Sequence, residues 1–508
     1  MRTRHRRARL AGAALAVTVS AALVAGCTAG TTRPQAEGAE PGIGTGPGRP
    51  TTTEEQVPLQ ADRYRASPGM VAAGGADAVY NYGPTVMSDG GRTRMWWCSQ
   101  YGSAAPPGDD ILYAEANSPD GPFAGLAGER GIPEAVLSGN PGAFDGVHTC
   151  DPSVIRVDGT YYMYYTGAAG SHELGNSIGL VTSADGRHWT RPGTDPIVRP
   201  AHDTHRDNTY GAGQPAAVYL DGWFYLMFTD TTGRAAGWNG AGQFLLRAKD
   251  PTFSAGVQAL GPQGFTEVPH TETARTNSLV DAFSADLMWV DALDAFAIAH
   301  QTDKGTTITF WNREFTATPY QPVTIPDEWE EGPGLLRRPD GHAPVSVDDP
   351  CGRVPIDVIH ATVIGRAKAP TDLRHYGLDL HGLDACAEPE RALAVLDGFA
   401  MPSPVRTMDL VTDGKVVRVD RRSVAEKLAG VVLDERLPVL DRLPVDVRLR
   451  PGARAVEAPG LGAGFLLDGT LWPVTSAEVV ELNGSPAEPV SREEWEDYPA
   501  GPILGLRG

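Results

Sequence analysis

The sequence predicts an all-β chain: a five-bladed β-propeller followed by a small C-terminal α+β domain of two repeated ββα-like units. Three observations predict it. A phrase recurs at intervals of roughly 50 to 70 residues, room for about four short strands per copy. Its copies join two apolar runs through an Asp-Gly pair, the composition of a tight hairpin turn. Beyond residue 396 a different and shorter phrase occurs twice.

The first element stands outside the fold. Arg2, Arg4, Arg6, Arg7 and Arg9 precede an apolar stretch from Leu10 to Ala25, the pattern of an export signal. It ends in Leu23-Val24-Ala25-Gly26-Cys27, which resembles a bacterial lipobox and implies that Cys27 is lipidated. Residues 28–60 are rich in Gly, Pro and Thr, cannot bury a core, and read as a flexible tether. The folded part is therefore expected outside the cytoplasm, lipid-anchored to the outer face of the cytoplasmic membrane, with no other membrane contact.

The propeller is expected over 61–395. Its clearest copy runs Asp151-Pro152-Ser153-Val154-Ile155-Arg156-Val157-Asp158-Gly159 into Tyr161-Tyr162-Met163-Tyr164-Tyr165. Tyr82-Gly83-Pro84-Thr85-Val86 leads through Asp89-Gly90 to Met95-Trp96-Trp97-Cys98, and Gln214-Pro215-Ala216-Ala217-Val218 through Asp221-Gly222 to Trp223-Phe224-Tyr225. Two looser copies begin at Ser284-Ala285-Asp286 and Glu331-Gly332-Pro333. A second echo, Asp120-Gly121-Pro122-Phe123, Asp185-Gly186-Arg187-His188-Trp189 and Asp250-Pro251-Thr252-Phe253, places an aromatic where it packs between neighbouring blades. Tyr162 and Tyr164 read as inter-blade core.

With Cys27 assigned to lipid, Cys98, Cys150, Cys351 and Cys386 form an even set in an oxidising compartment. Of the three possible pairings, Cys98 with Cys150, linking the first two blades, and Cys351 with Cys386, closing a late loop, is expected. A zinc site calls for closer ligand spacing. In the C-terminal domain, 396–508, the hairpin around Asp413-Gly414 followed by Ser423 to Gly430 is echoed by the hairpin around Asp468-Gly469 followed by Ser476 to Gly484. Each copy reads as a hairpin, a serine N-cap, and a short helix ending at glycine.

The formal net charge of −20, about −25 without the arginine-rich leader, repels nucleic acid and anionic lipid. A neutral oligo- or polysaccharide is a compatible partner, and a monomer is expected. In a propeller the inner strands converge on one axis, so residues at equivalent places in the repeat meet. Before the recurring proline stand Gly83, Asp151, Gln214, Ser284 and Gly332, with Glu331 one step earlier. Asp151 is the acid at the register position, with Asp145 and His148 close by in sequence.

The Asp151-Pro152-Ser153-Val154 strand, its Asp158-Gly159 turn and its tyrosine-rich partner resemble the five-bladed propellers of glycoside hydrolase families 43 and 32, over roughly residues 65 to 390. The resemblance implies hydrolysis of arabinose-, xylose- or related glycosidic bonds by paired carboxylates, one ionised and one protonated. Those families place a base or nucleophile on the first blade, a tuning aspartate on the second and an acidic glutamate on the third. This chain departs from them at Gly83 and Gln214, neither of which can do acid–base work at neutral pH. The catalytic set is then rotated around the ring, with Asp151 as base or nucleophile and Glu331 or Asp286 as acid. The alternative is a funnel that binds sugar without cleaving it. Tyr82, Trp97, Tyr210 and Trp238 are candidates to stack on sugar rings, and His148, Asn208, Gln214 and His300 to bond hydroxyls. No cofactor is expected. The resemblance allows an axial calcium ion, for which His300 and His360 are the nearest ligands by register, although both also read as core histidines.

Overall fold

The computed structural model describes residues 55–72, 80–99, 108–123, 134–170, 175–327, 330–363 and 371–505. The expected export signal, the lipidation candidate Cys27 and the expected tether up to residue 54 lie outside the described residues.

The chain is mostly β. A first strand, β1 (Gln60–Ala66), precedes five successive groups. The first is β2 (Asn81–Asp89), β3 (Arg92–Ser99), β4 (Asp110–Ala116) and β5 (Glu134–Leu137), and the second β6 (His148–Val157), β7 (Thr160–Ala168) and β8 (Ser177–Ser183). The third is β9 (Ala212–Leu220), β10 (Trp223–Asp230), β11 (Gln243–Ala248), β12 (Gln258–Gly261) and β13 (Gly264–Glu267). The fourth is β14 (Ala285–Val290), β15 (Ala295–Thr302), β16 (Gly305–Trp311) and β17 (Val323–Ile325), and the fifth β18 (Glu331–Arg337), β19 (Arg353–Val363) and β20 (Thr371–His381). Within each group consecutive strands pair antiparallel. The first strands of the groups pack in a closed cycle, β2 on β6, β6 on β9, β9 on β14, β14 on β18 and β18 back on β2.

The turns follow from their residues. Asp158-Gly159 and Asp221-Gly222 have both residues left-handed, φ 48° and 79° and φ 52° and 79°, the twist that suits a two-residue hairpin. Between the groups lie apolar layers. Trp96, Tyr113, Met163 and Val181 fill one, Tyr164, Phe224 and Phe253 the next, and Tyr225, Trp289 and Phe296 a third. Phe123, Trp189 and Phe253 of the second echo all join such layers.

On the axis sits Arg337, fully buried. Its guanidinium donates to the Ala217 and Leu287 carbonyls at 3.0 and 2.8 Å and to the Thr85 hydroxyl at 2.9 Å, and pairs with Asp286 at 3.2 Å. One side chain of β18 thus ties β2, β9 and β14, and Ser153 of β6 lies 3.5 Å away.

The ring is closed by the N-terminus. β1 pairs antiparallel with β20, and β18 runs parallel to β2 through Leu336↔Val86 and Arg337↔Met87, so one eight-stranded sheet joins the first and last groups. Residues 56 and 57, within the stretch expected as a tether, are also held. Gln56 donates to the Thr318 hydroxyl at 2.7 Å, and Val57 bonds Pro319 and Gln321 through its backbone.

Disulfides join Cys98 to Cys150 and Cys351 to Cys386, with Cα–Cα separations of 4.9 and 5.2 Å. After the helix α1 (Pro389–Val395), the C-terminal segment repeats a unit longer than ββα. Strands β21 (Phe399–Pro402), β22 (Met408–Thr412) and β23 (Lys415–Val419) lead to α2 (Arg422–Leu428), and then to β24 (Val431–Val432), parallel to β21. A further strand, β25 (Val447–Leu449), runs parallel to β23. The second copy is β26 (Ala455–Ala458), β27 (Gly462–Leu467), β28 (Thr470–Pro473), α3 (Ala477–Leu482) and β29 (Ala487–Pro489), with β29 parallel to β26, before a last helix α4 (Arg492–Asp497). Ser476 caps α3 through the Glu478 amide, whereas α2 starts from Arg421 with no side-chain cap and Ser423 falls inside it. No helix among the described residues is long and apolar enough to cross a membrane.

Candidate functional site

Four of the five inner strands are bulged at one place. Gly83, Asp151, Gln214 and Gly332 have φ of 54°, 45°, 53° and 51°, each precedes a proline, and the strand pairing shifts register there. A proline lacks a ladder donor and is tolerated in a strand at a bulge, which explains why this dipeptide recurs. In the remaining inner strand, β14, Ala285 opens the pairing directly after Ser284 without a shift. Left-handed backbone is free for glycine but costs of order 1 kcal/mol for Asp151 and Gln214. That strain sits where bulges turn side chains toward the axis.

The five dipeptides meet around one cavity of about 30 Å³, lined by Gly83, Pro84, Asp151, Pro152, Gln214, Pro215, Ser284, Ala285, Gly332 and Pro333 together with Thr85 and Asp286. The missing side chain at Gly83 has a steric reason. A Cβ there would stand 2.7 Å from Oδ1 of Asp151, so the Asp151 carboxylate occupies the space that a residue-83 side chain would need.

Asp151 is buried and receives a hydrogen bond from the Tyr210 hydroxyl to Oδ2 at 3.3 Å. Burial pushes its carboxyl up to about 6; bonds from Thr166 and Tyr210 oppose the shift, and the Asp109 charge adds to it. Glu331, one residue before the glycine of the last bulge, is bonded by the Tyr80 hydroxyl at 3.2 Å. Burial, and next the charge of Asp151, push it up to about 8. The two carboxyls feel each other and take up protons at different pH.

Asp109 and Tyr80 were not among the residues expected here. A Cβ at Gly108 would collide with the Val147 carbonyl oxygen, and this close approach sets Asp109 against His148, whose Nδ1 lies 2.9 Å from its Oδ2. The Asp109 carbonyl also accepts the Thr149 amide at 3.0 Å, two residues from Asp151. The signal available in the sequence was the doubled acid Asp109-Asp110 after a glycine.

The other candidates divide. Gln214 donates through Nε2 to the Ser284 hydroxyl at 2.7 Å, and its backbone amide bonds Thr166 at 2.7 Å, next to Asp151. Asn208 lies on the rim with its amide on the Asn239 carbonyl at 3.1 Å, and Trp238 beside it is 78% exposed. His300 stands opposite Ala285 at the end of β15. Three assignments are corrected. Asp286 accepts the Leu335 amide at 2.7 Å and the Leu287 amide at 2.8 Å and pairs with Arg337, so its carboxylate holds strands together and is not free to act as an acid. Trp97 is fully buried with its indole N–H on Asn81 at 2.9 Å, and Tyr82 is buried with its hydroxyl 2.8 Å from Cys150 Sγ. Neither offers a face to a sugar.

The residues present do not fit an axial calcium ion held by histidine. His360 is buried, bonded to Asp327 at 2.9 Å and stacked on Tyr376 at 5.1 Å. Among the described residues one set of His, Cys, Asp or Glu side chains comes close enough for a metal, Cys98, Asp109 and Cys150, and its sulfurs are spent in the disulfide. A larger cavity, about 990 Å³, opens at the other end of the inner strands against α1. Two of its acids are engaged, Asp291 by His342 and Arg338, each at 3.1 Å, and Asp397 by the Asp413 amide at 2.7 Å.

No protein-family model matches the chain, and no curated protein matches it. Among solved structures it is similar to a family 117 glycoside hydrolase of the marine bacterium Zobellia galactanivorans, at 12% identity and a TM-score of 0.43, over 64% of this chain and 92% of that one. It is also similar to the catalytic domain of the Coprinopsis cinerea GH62 α-L-arabinofuranosidase, at 12% identity and a TM-score of 0.39, over 63% and 97%. A third is a Podospora anserina α-L-arabinofuranosidase in complex with cellotriose, at 12% identity and a TM-score of 0.38, over 63% and 98%.

Proposed function

We propose that residues 61–395 form a five-bladed propeller of the family 43 and 32 type that hydrolyses glycosidic bonds of arabinose-, xylose- or related saccharides, with 396–508 as a packed accessory domain. The observation that carries this reading is the pair Asp151 and Glu331 at the axial bulges. With one carboxyl near 6 and the other near 8, the pair is half-protonated at neutral pH, Asp151 ionised and Glu331 neutral. Coupled groups titrate as a pair, and this assignment follows the order of their environments.

In this reading Glu331 gives its proton to the glycosidic oxygen as the bond to the anomeric carbon breaks. Asp151 faces the positive charge that develops on that carbon, as base toward water or as nucleophile. Tyr210 and Thr166 orient Asp151, and Tyr80 orients Glu331. Gln214, His148, Asn208 and His300 supply donors and acceptors for hydroxyls. The polar exit of the chain, through Cys27 and the tether, holds the enzyme outside the cytoplasm on a lipid anchor and presents a monomer to polymeric substrate.

The test is hydrolysis of arabinoxylan and aryl arabinosides and xylosides by the purified chain. Asp151→Ala and Glu331→Gln should each lower turnover by about 10² to 10⁴-fold with folding intact. A parent inert on all of these, or a Glu331→Gln variant as active as the parent, ends the hydrolase reading.

A further inference from the structure

The reading of the carboxylate pair as a glycosidase centre leaves the size of the substrate open, and the rim beside it bears on that. Trp238 is 78% exposed, more than Met70, Tyr64 or Val405, the next most exposed large apolar residues described. An indole held out from the surface by a hydrogen-bonded loop offers an aromatic face to a ligand.

The loop is rigid. Gly237 N–H bonds the Ala241 carbonyl at 2.7 Å, Ala241 N–H returns to Trp238 at 2.9 Å, and Asn239 sits left-handed between them with φ 48°. At Gly240, φ 91°, a Cβ would come within 2.7 Å of Thr231, so the loop lies flat on β10's end. Arg206 clamps the segment before it through the Gly233 and Ala236 carbonyls, both at 3.0 Å. Phe283 meets the indole edge-on at 6.5 Å, next to Ser284 of the axial ring.

The loop is also continuous with the carboxylates. Asn208 bonds Asn239 with its amide and receives the Tyr210 amide at 3.0 Å, while the Tyr210 hydroxyl bonds Asp151. An indole face, planar amides and a nearby carboxylate, Asp281 against Gly237, are the groups that hold a sugar ring by its C–H face and its hydroxyls. The net charge of −20 disfavours a polyanionic chain there.

We infer that Trp238, with Asn208 and Asn239, forms an accessory subsite for an uncharged sugar unit of an oligosaccharide whose scissile bond lies between Asp151 and Glu331, making the protein selective for oligomers over simple glycosides.

The experiment compares the full-length parent, Trp238→Ala, Trp238→Phe and Glu331→Gln on arabinoxylan, arabinoxylo-oligosaccharides of rising length and an aryl arabinoside, by kinetics and by affinity electrophoresis in arabinoxylan gels. Trp238→Ala should raise KM by about tenfold on the longer oligomers, with the loss growing with chain length, kcat little changed and Trp238→Phe restoring most of the affinity. Retention of Glu331→Gln in the gel should match the parent, and that of Trp238→Ala should fall. Hydrolysis with KM and retention independent of residue 238 overturns the subsite and spares the glycosidase. Retention that depends on residue 238 without any hydrolysis spares the subsite and overturns the glycosidase. A Trp238-dependent dimer in solution with no retention overturns the subsite, because the indole then serves a second copy of the chain.

Discussion

Asp151 and Glu331 show how much a residue's chemistry depends on its surroundings. Each is an ordinary carboxyl in sequence, and burial is the first cause of the shift in both. Asp109 raises both further, from a loop outside the repeat register. Replacing Asp109 by Asn removes a charge that opposes ionisation of each, so both carboxyls should titrate at lower pH. In the parent, activity should fall below about 6 as Asp151 takes up a proton and above about 8 as Glu331 loses one. In Asp109→Asn both limbs of the pH profile of kcat/KM should move toward acid; limbs that stay in place would show that Asp109 only braces His148. The register made Asp151 and Glu331 legible in the sequence, since equivalent places in a ring must meet. Asp109 and Tyr80 were not legible because their positions depend on loop paths that no period dictates. Trp97 and Tyr82 misled for a related reason: an aromatic at a strand end looks the same whether the neighbouring blade covers it or not.

At the scale of elements, the bulged inner strands depend on Arg337. A buried guanidinium needs its charge paired and its terminal N–H groups bonded, and here those partners come from neighbouring inner strands. Arg337→Met should cost about 3–5 kcal/mol in denaturant unfolding, because Asp286 is left buried and unpaired. Adding Asp286→Leu should recover part of that loss. A double variant no more stable than the single one would mean that the carbonyl and hydroxyl bonds, and not the charge pair, carry the effect. The hairpins were readable because Asp-Gly fixes their turns by backbone sterics. The C-terminal repeat was read one strand short at either end because β21, β24, β26 and β29 are two to four residues long and carry too little pattern to register as strands. Ser423 resembles Ser476 in sequence, yet the N-cap of its helix is Arg421, two residues earlier, and a shift that small decides whether a serine caps.

For the whole molecule, the decisive contact is the return of the N-terminus. β1 reads Gln-Ala-Asp-Arg-Tyr-Arg-Ala and is largely exposed, so it shows no apolar alternation from which a strand could be inferred. Its hold on the ring is polar. Arg65 donates to Asp357 at 2.6 Å and to Asp379 at 2.7 Å, and Arg353, which also bonds Asp379 at 3.1 Å, reaches Asp62. Without β1 the β20 edge is left unpaired, and an open edge recruits other chains. A chain beginning at residue 55 keeps Gln56, Val57 and β1 and should melt like the parent. One beginning at residue 68 should melt roughly 5–10 °C lower and aggregate on heating, although both lack residues 1–54. Equal melting of the two would show that the parallel pairing of β18 with β2 closes the ring unaided, and that the first strand is an ornament of the fold instead of its clasp.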